Sequence, residues 1–320
     1  MTKEIFNRYG DGGEEITKAL GLITSGVTFD KWEPLLSFGM REVCMIIGDT
    51  PIEAICRYYL TEEIPDGVED REWMAEAVKY LQKCVAYFTW IRIIPTLDAQ
   101  HDENGRSRRL GENEKGLTAL QEWKDEENIK RLAYEAAEEL LEHLEHGGYP
   151  FWTDSARYKM RRHLLLHNRE EFDRYYYIGS HRLYHTMVPI ICEVQNAQIA
   201  PVTGVKRMDL LTASDLQTEQ KIGELCRRAL ALLTIKKAIE RLPVEVIPEG
   251  VVQIQQSAPV NSRLKAEQSA RREVAATLQA DADNILRQIS AIVAEMDADT
   301  CDAEDVGIFG PIAHSKGFSF

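Results

Sequence analysis

Apolar residues recur at three- and four-residue steps through nearly the whole chain from about residue 29 onward, and this helical periodicity restricts the fold more than any other feature of the sequence. β-type alternation is confined to two short places. The expected fold class is therefore all-α, a multi-helix bundle with two short β-hairpins and an extended C-terminal arm. A first helix from Asp30 to Ile47 carries Leu35, Leu36, Met40, Val43 and Ile47 on one stripe. Gly48 ends it and Pro51 restarts a short helix, the usual placement of glycine after a helix and proline near the start of one. From Glu69 to Ile93 the stripe of Met74, Ala77, Val78, Leu81, Val85 and Phe88 is widened by Tyr87, Trp90 and Ile94, which marks a central helix closed by Pro95.

A long helix from Gly116 to His146 places Leu117, Leu120, Ile129, Leu132, Ala136, Leu140 and Leu144 in register, shows a Glu-rich exposed face and stops at Gly147-Gly148. Thr153 or Asp154 caps a helix reaching His167. Another, holding Leu183, Met187, Ile190, Ile191 and Val194, follows Gly179-Ser180. Ser214 and Gln217 form a capping box for a helix from Asp215 to Arg241. The final helix repeats Ala275, Leu278, Ala282, Ile285, Ile289, Ile292 and Met296, a narrow seam suited to one helical neighbour, from this chain or another.

The domain plan that follows has an N-terminal arm over 1–28, a helical bundle over 29–242, a β-hairpin over 243–256, a long helix over 257–296 and an extended tail over 297–320. Asn104-Gly105 between polar arms signals a hairpin projecting from the bundle near 97–109. Pro248-Glu249-Gly250 between valine-rich arms signals the second hairpin. The tail begins acidic and ends with Phe309, Phe318 and Phe320 among glycines, too little apolar surface to fold alone, so those rings are expected to dock on a partner.

The formal net charge of −14 argues against a protein whose main task is gripping a nucleic-acid backbone, which takes clustered Lys and Arg. An acidic surface does suit one along which DNA slides without adhering. The longest apolar run, Met187 to Cys192, contains Pro189 and is far too short for a bilayer, and the first ten residues lack the apolar core of a secretion signal. A chain made in the cytoplasm is expected. Six cysteines show no C-x-x-C spacing, and at least five sit among apolar helical residues, where they read as buried thiols.

Two histidine pairs at i, i+4, His163 with His167 and His181 with His185, are the one metal-like constellation, because that spacing sets both imidazoles on one helix face. Neither pair encloses the Glu of H-E-x-x-H. From Arg157 to Arg182 seven basic residues (Arg157, Lys159, Arg161, Arg162, Arg169, Arg174 and Arg182) face three acids, a basic island that would meet an acidic neighbour or a phosphate backbone, or form a solvated helix face. Arg106, Arg108 and Arg109 make a smaller basic spot near the first hairpin. The acidic run from Asp297 to Asp305 lacks the glycine and terminal glutamate of a calcium loop and reads as a solvated linker. No G-x-S-x-G, P-loop or G-x-G-x-x-G is present, so no catalytic, cofactor or metal residue is assigned and a non-enzymatic role is expected.

The hairpin with Asn104-Gly105, the long acidic helix ending Leu140-Leu141-Glu142-His143-Leu144, Phe151-Trp152, the stretch from Tyr184 to Pro189 and the run from Leu242-Pro243 to Gly250-Val251 together resemble a family of uncharacterised proteins from phages and prophages of the Bacteroides group. Members look like head-tail connector (adaptor) subunits. The resemblance implies a ring, commonly of twelve copies, below the portal and around the DNA passage, with portal and tail or stopper proteins as partners and the virion neck as its place. No cofactor is implied. The partner-interface candidates are Arg157, Arg161, Arg162, Arg169, Arg174, Arg106, Arg108, Phe309, Phe318 and Phe320. Two other readings are a metal-dependent helical enzyme built on the four histidines and a cytoplasmic scaffold or regulator.

Overall fold

The computed structural model describes residues 3–21, 28–102, 105–108, 118–204, 217–242 and 260–304. The described chain is all-α. In order, its elements are α1 (Gly12–Leu20), α2 (Phe29–Ile47), α3 (Asp49–Thr61), α4 (Arg71–Asp98), two short strands β1 (Ala99–Asp102) and β2 (Gly105–Arg108), and α5 (Ala119–Gly147). There follow α6 (Pro150–Thr153), α7 (Ala156–Lys159), α8 (Arg169–Asp173), α9 (His181–Val194), a π-helical turn (Gln195–Ile199), α10 (Ala200–Thr203), α11 (Gln217–Arg241) and α12 (Val260–Glu304). The strands pair antiparallel, with Ala99 opposite Arg108 and Asp102 opposite Gly105. The chain divides into two compact units, one ending at Arg162 and regaining Ser180–His185, the other formed from His163–Gly179 and the residues from Thr186 onward.

In the first unit α4 is the central rod, with α1, α2, α3 and α5 packed on it. Its wide apolar stripe explains this: Met74, Ala77, Leu81, Cys84, Val85, Ala86 and Phe88 are all buried, more than one neighbouring helix can cover. α4 continues through Pro95 to Asp98 rather than closing at Pro95. A proline this near the C-terminus removes a single ladder hydrogen bond, so the last turn survives. α2 comes close to α4 at Gly39, where a Cβ would lie 2.6 Å from the carbonyl oxygen of Val85 and overlap Thr89 Oγ1.

The first 28 residues are in part core, not an arm. Ile5, Phe6, Ile16 and Leu20 are buried. Glu15 gathers the segment, accepting hydrogen bonds from the Asn7 backbone N–H (2.6 Å), the Tyr59 hydroxyl (2.9 Å) and Gln82 Nε2 (3.0 Å), while the Tyr87 hydroxyl donates to the Leu20 carbonyl. These bonds bridge long sequence separations, which is why helical periodicity alone did not place the segment.

α5 begins with a capping box in which Thr118 and Gln121 satisfy each other's backbone N–H, and ends at Gly148 in the left-handed conformation (φ 59°), whose N–H reaches the Leu144 carbonyl. The expected single helix to His167 is instead two short pieces, α6 and α7, the second capped by Ser155 rather than by Thr153 or Asp154.

In the second unit α11 is the hub, buried on several sides through Ile222, Cys226, Ala229, Leu230, Leu233, Ile235 and Ile239. The seam of α12, from Ala275 through Leu278, Ala282 and Ile285 to Ile289, packs on α11, so its helical neighbour belongs to the same chain. α12 also runs on to Glu304, making the start of the expected acidic tail helical. Ahead of α11, the π turn precedes Pro201, which has no N–H to offer the Ala197 carbonyl; the widened turn relieves that mismatch. Gln195 inside it accepts from the Leu165 N–H and donates to the His163 carbonyl, both at 2.8 Å. The second expected hairpin, over 243–256, lies outside the described residues, as do Ser214 and the tail from Asp305.

Gly39 and Thr89 give a paired test of this packing. Gly39→Ala is expected to destabilise the first unit by about 2 kcal/mol, since the added methyl meets backbone as well as side chain. Thr89→Val is expected to be neutral or stabilising, because the Thr89 hydroxyl is buried with no hydrogen-bond partner. Denaturant unfolding of both variants reads the difference in sign.

Candidate functional site

The densest buried polar cluster of the first unit lies where the end of α5 meets the start of α9. Glu138 and Glu145 are seven residues apart on α5 and therefore share a face. Glu138 serves the N-terminus of α9: its carboxylate accepts from the Ser180 hydroxyl (2.9 Å), the Arg182 N–H (3.0 Å) and the His181 N–H. Ser180 in turn accepts from the Leu183 N–H at 3.0 Å. The otherwise bare donors of a helix start are thus met by a carboxylate whose charge the helix dipole favours.

Two turns further on, Glu145 holds Arg161 and His185. Arg161 Nη1 donates to Oε1 at 2.8 Å and Nη2 to Oε2 at 2.6 Å, a two-pronged pair, while His185 Nε2 lies 3.2 Å from Oε1. The Arg161 guanidinium also lies over the Tyr158 ring, 3.8 Å from its centre, and Trp152 meets His185 edge to face. Arg161 is only 4% exposed. Burial by itself would raise the Glu145 pKa, but the hydrogen bonds from His185 and Arg161 and the guanidinium charge override it and hold the carboxyl at about 2. Burial is also the main influence on His185 and lowers its pKa, outweighing the pull of Glu145. The histidine is therefore neutral near pH 7, with Nε2–H donating to Glu145 and Nδ1 buried without a partner.

Chemically this arrangement is a clasp. The carboxylate is neutralised by Arg161, hydrogen-bonded by His185 and far from the pKa of a general base, and the imidazole proton is already committed. Arg161, a candidate for partner contact from the sequence, is turned inward. Neither Glu138 nor Glu145 stood out among the glutamates of α5. The available signal was their seven-residue spacing beside the Leu141 and Leu144 stripe.

The remaining basic candidates are distributed over both units. Arg157 is half-buried and its Nη2 donates to the Met45 carbonyl at 2.7 Å; Arg162 lies 3.7 Å and Lys159 3.2 Å from Asp154. In the second unit Arg169 pairs with Glu170 (3.1 Å) and Asp173 (3.7 Å), and Arg174 is exposed. Arg182 sits over Tyr134 in the first unit. Arg106 and Arg108 are on β2. Phe309, Phe318 and Phe320 lie outside the described residues.

His163 and His167 are not on one helix, because the chain from Met160 to Asn168 runs through turns; His167 Nδ1 is instead 3.1 Å from Glu171. Among the described residues no group of three or more His, Cys, Asp or Glu is placed to hold a metal ion. Cys56, Cys84 and Cys226 are buried as expected, whereas Cys44 is half-buried and Cys192 exposed. No helix among the described residues is long and apolar enough to cross a membrane.

The sequence matches a family of unknown function (DUF6712) over residues 46–162 and 193–294. The chain belongs to that family. Neither the curated proteins nor the solved structures hold a match to it. In this DUF6712 member the matched stretches contain Glu145 and Arg161 but not His185.

Two outcomes check the clasp. Arg161→Met is expected to cost about 3 kcal/mol or more, since it strands a buried carboxylate; Glu145→Gln with Arg161→Met is expected to recover part of the loss. Acid lowers stability through both ionisable partners. The folded carboxyl at about 2 lies below its ordinary 4.5, so its contribution is complete above 4.5 and lost as pH falls toward 2. The depressed His185 pKa makes the unfolded chain the better proton acceptor once pH drops below 6.5, again favouring unfolding. Melting temperature followed from pH 7 downward should therefore begin to fall near pH 6.5, with the earliest part of that fall reduced in His185→Gln.

Proposed function

We propose that the chain is a structural virion protein, a head-tail connector or adaptor subunit that forms a ring, commonly of twelve copies, below the portal and around the DNA passage. In this reading the paired strands between α4 and α5 project toward a neighbouring subunit, the 243–256 segment forms a second contact hairpin, and the C-terminal arm with Phe309, Phe318 and Phe320 grips the portal or a tail or stopper protein. DNA passes through without sequence-specific binding. The protein is made in the host cytoplasm and resides in the virion neck. No cofactor or catalytic residue takes part.

The observation that carries the reading is how the basic residues are used. Arg161 is taken up by Glu145, Arg169 by Glu170 and Asp173, and Lys159 and Arg162 stand beside Asp154, in a chain of net charge −14. Cations tied to the protein's own acceptors leave little to hold a phosphate backbone, which suits a conduit more than a nucleic-acid binder. The order of sequence features shared with the phage and prophage proteins points the same way.

Electron microscopy of particles from a phage or prophage carrying the gene tests this. A ring of this chain between portal and tail is the expected result; particles whose neck lacks the chain refute it. Deleting Gly307 to Phe320 is expected to reduce the yield of tailed particles while leaving the melting of the helical units unchanged, and an undiminished yield removes the docking role of the tail.

A further inference from the structure

Two uncovered apolar sets on the first unit differ in their electrostatic surroundings. The first belongs to the opening turns of α5. Leu120 is 60% and Trp123 53% exposed, and the buried stripe of this helix begins only at Ile129. The two side chains are not an extension of that stripe. Counting back from Glu145 and Glu138 by steps of four and seven, the same helix face passes through Tyr134 and Glu127 to Leu120, with Trp123 beside them. Toward the C-terminus this face is covered by the start of α9; toward the N-terminus no described residue covers it. Around it stand Glu122, Asp125, Glu126 and Glu127 against Lys124 and Lys130, the latter 4.0 Å from Glu127. It is an acidic knob with an aromatic centre.

The second set lies on the outer side of α2. Phe38 is 50% and Met45 54% exposed, seven residues apart and so on one face, with exposed Arg41 between them. Met160, 57% exposed, follows Arg157 by three residues, and Arg157 reaches α2 by donating to the Met45 carbonyl. Lys159 and Arg162 share Asp154 here, at 3.2 and 3.7 Å, and Glu42 is occupied by Arg92 at 3.0 Å, which leaves Arg41 and Arg157 as the cations of the socket. Among the described residues Arg157 has no ion-pair partner, and burial lowers its pKa without a carboxylate to oppose the effect. A half-buried guanidinium with only a carbonyl acceptor is a place where a carboxylate from outside lowers the energy. This is a basic socket in which Phe38 and Met45 share the α2 face, with exposed Met160 on the segment that Arg157 ties to it, and thioether side chains adapt readily to an aromatic ring.

We propose that a second copy of this chain covers the socket, the Leu120 and Trp123 face of its α5 seating on Phe38, Met45 and Met160 while its acidic flank meets Arg41 and Arg157. The opposite signs of charge around knob and socket select this occupant. The contact is head-to-tail: each copy that donates a knob keeps its own socket open, so the contact repeats from copy to copy and closes as a ring or runs on as a filament. It rests on the ring reading only in taking a second copy as the occupant.

Mixing two single-defect chains tests it. Leu120→Ala with Trp123→Ala removes the knob, and Phe38→Ser with Met45→Ser removes the socket; all four positions are at least half exposed, so both chains are expected to melt close to the parent. In sedimentation velocity the parent is expected to associate with rising concentration, and each variant alone to require about 100-fold more protein. An equimolar mixture retains one good knob and one good socket, so it is expected to form dimers and nothing larger. A photoreactive amino acid in place of Trp123 is expected to cross-link to the α2 or α7 peptide of a second copy.

Unchanged association of either variant, a mixture that stays monomeric, or a parent chain monomeric up to about 1 mM overturns the proposal. The connector reading is judged separately. Rings in particles carrying either variant leave that reading standing and remove this contact, whereas knob-and-socket dimers from a chain missing from the virion neck do the reverse.

Discussion

The first unit depends on a buried charge that is answered. Glu145 carries a full negative charge almost out of reach of solvent, and only the two-pronged bond from Arg161, with the imidazole N–H of His185, makes that tolerable. The three side chains come from the end of α5, the turn after α7 and the start of α9, so the requirement that none be left alone sets where three separate pieces of chain must lie. Glu138, one heptad earlier, imposes the same requirement through the first N–H groups of α9, which donate to it. Apolar burial brings α5 and its neighbours together without direction; the carboxylates give the packing its register.

The same economy of charge shapes the reading of function. Basic residues that look like a patch in one dimension are divided by the fold among carbonyls, carboxylates and an aromatic face. Among the described residues a few large apolar side chains remain uncovered, Leu120, Trp123, Phe38 and Met45 among them. In the cluster at Glu145 the strong donors and acceptors are matched to one another, His185 Nδ1 and the Trp152 indole N–H apart.

Much of the architecture was legible from apolar spacing. The rods from Phe29 to Ile47, Arg71 to Asp98 and Ala119 to Gly147 follow stripes visible in the residues, and Gly48 and Gly148 stop helices for the reason glycine usually does, a backbone conformation costly for other residues. Pro95 does not end its helix, which runs on to Asp98. The expected helix from Thr153 or Asp154 to His167 does not form as one piece, and the turns at Leu165 and His163 are held by Gln195 from far along the chain. Nothing local encodes that bond. The site was less legible still, because a glutamate on a charged helix looks the same whether it faces water or Arg161.

Periodicity, capping pairs and charge total are properties of neighbours in sequence, and they determined the fold class, the main helices and the acidic character of this protein. Which glutamates are buried, which arginines are spent on them, and which apolar side chains remain bare are set by residues tens of positions apart, as with Glu145 and His185 or Met45 and Arg157. Those choices belong to the tertiary structure, since the energy of a charge or an apolar surface depends on what covers it, and covering is decided only when distant segments pack.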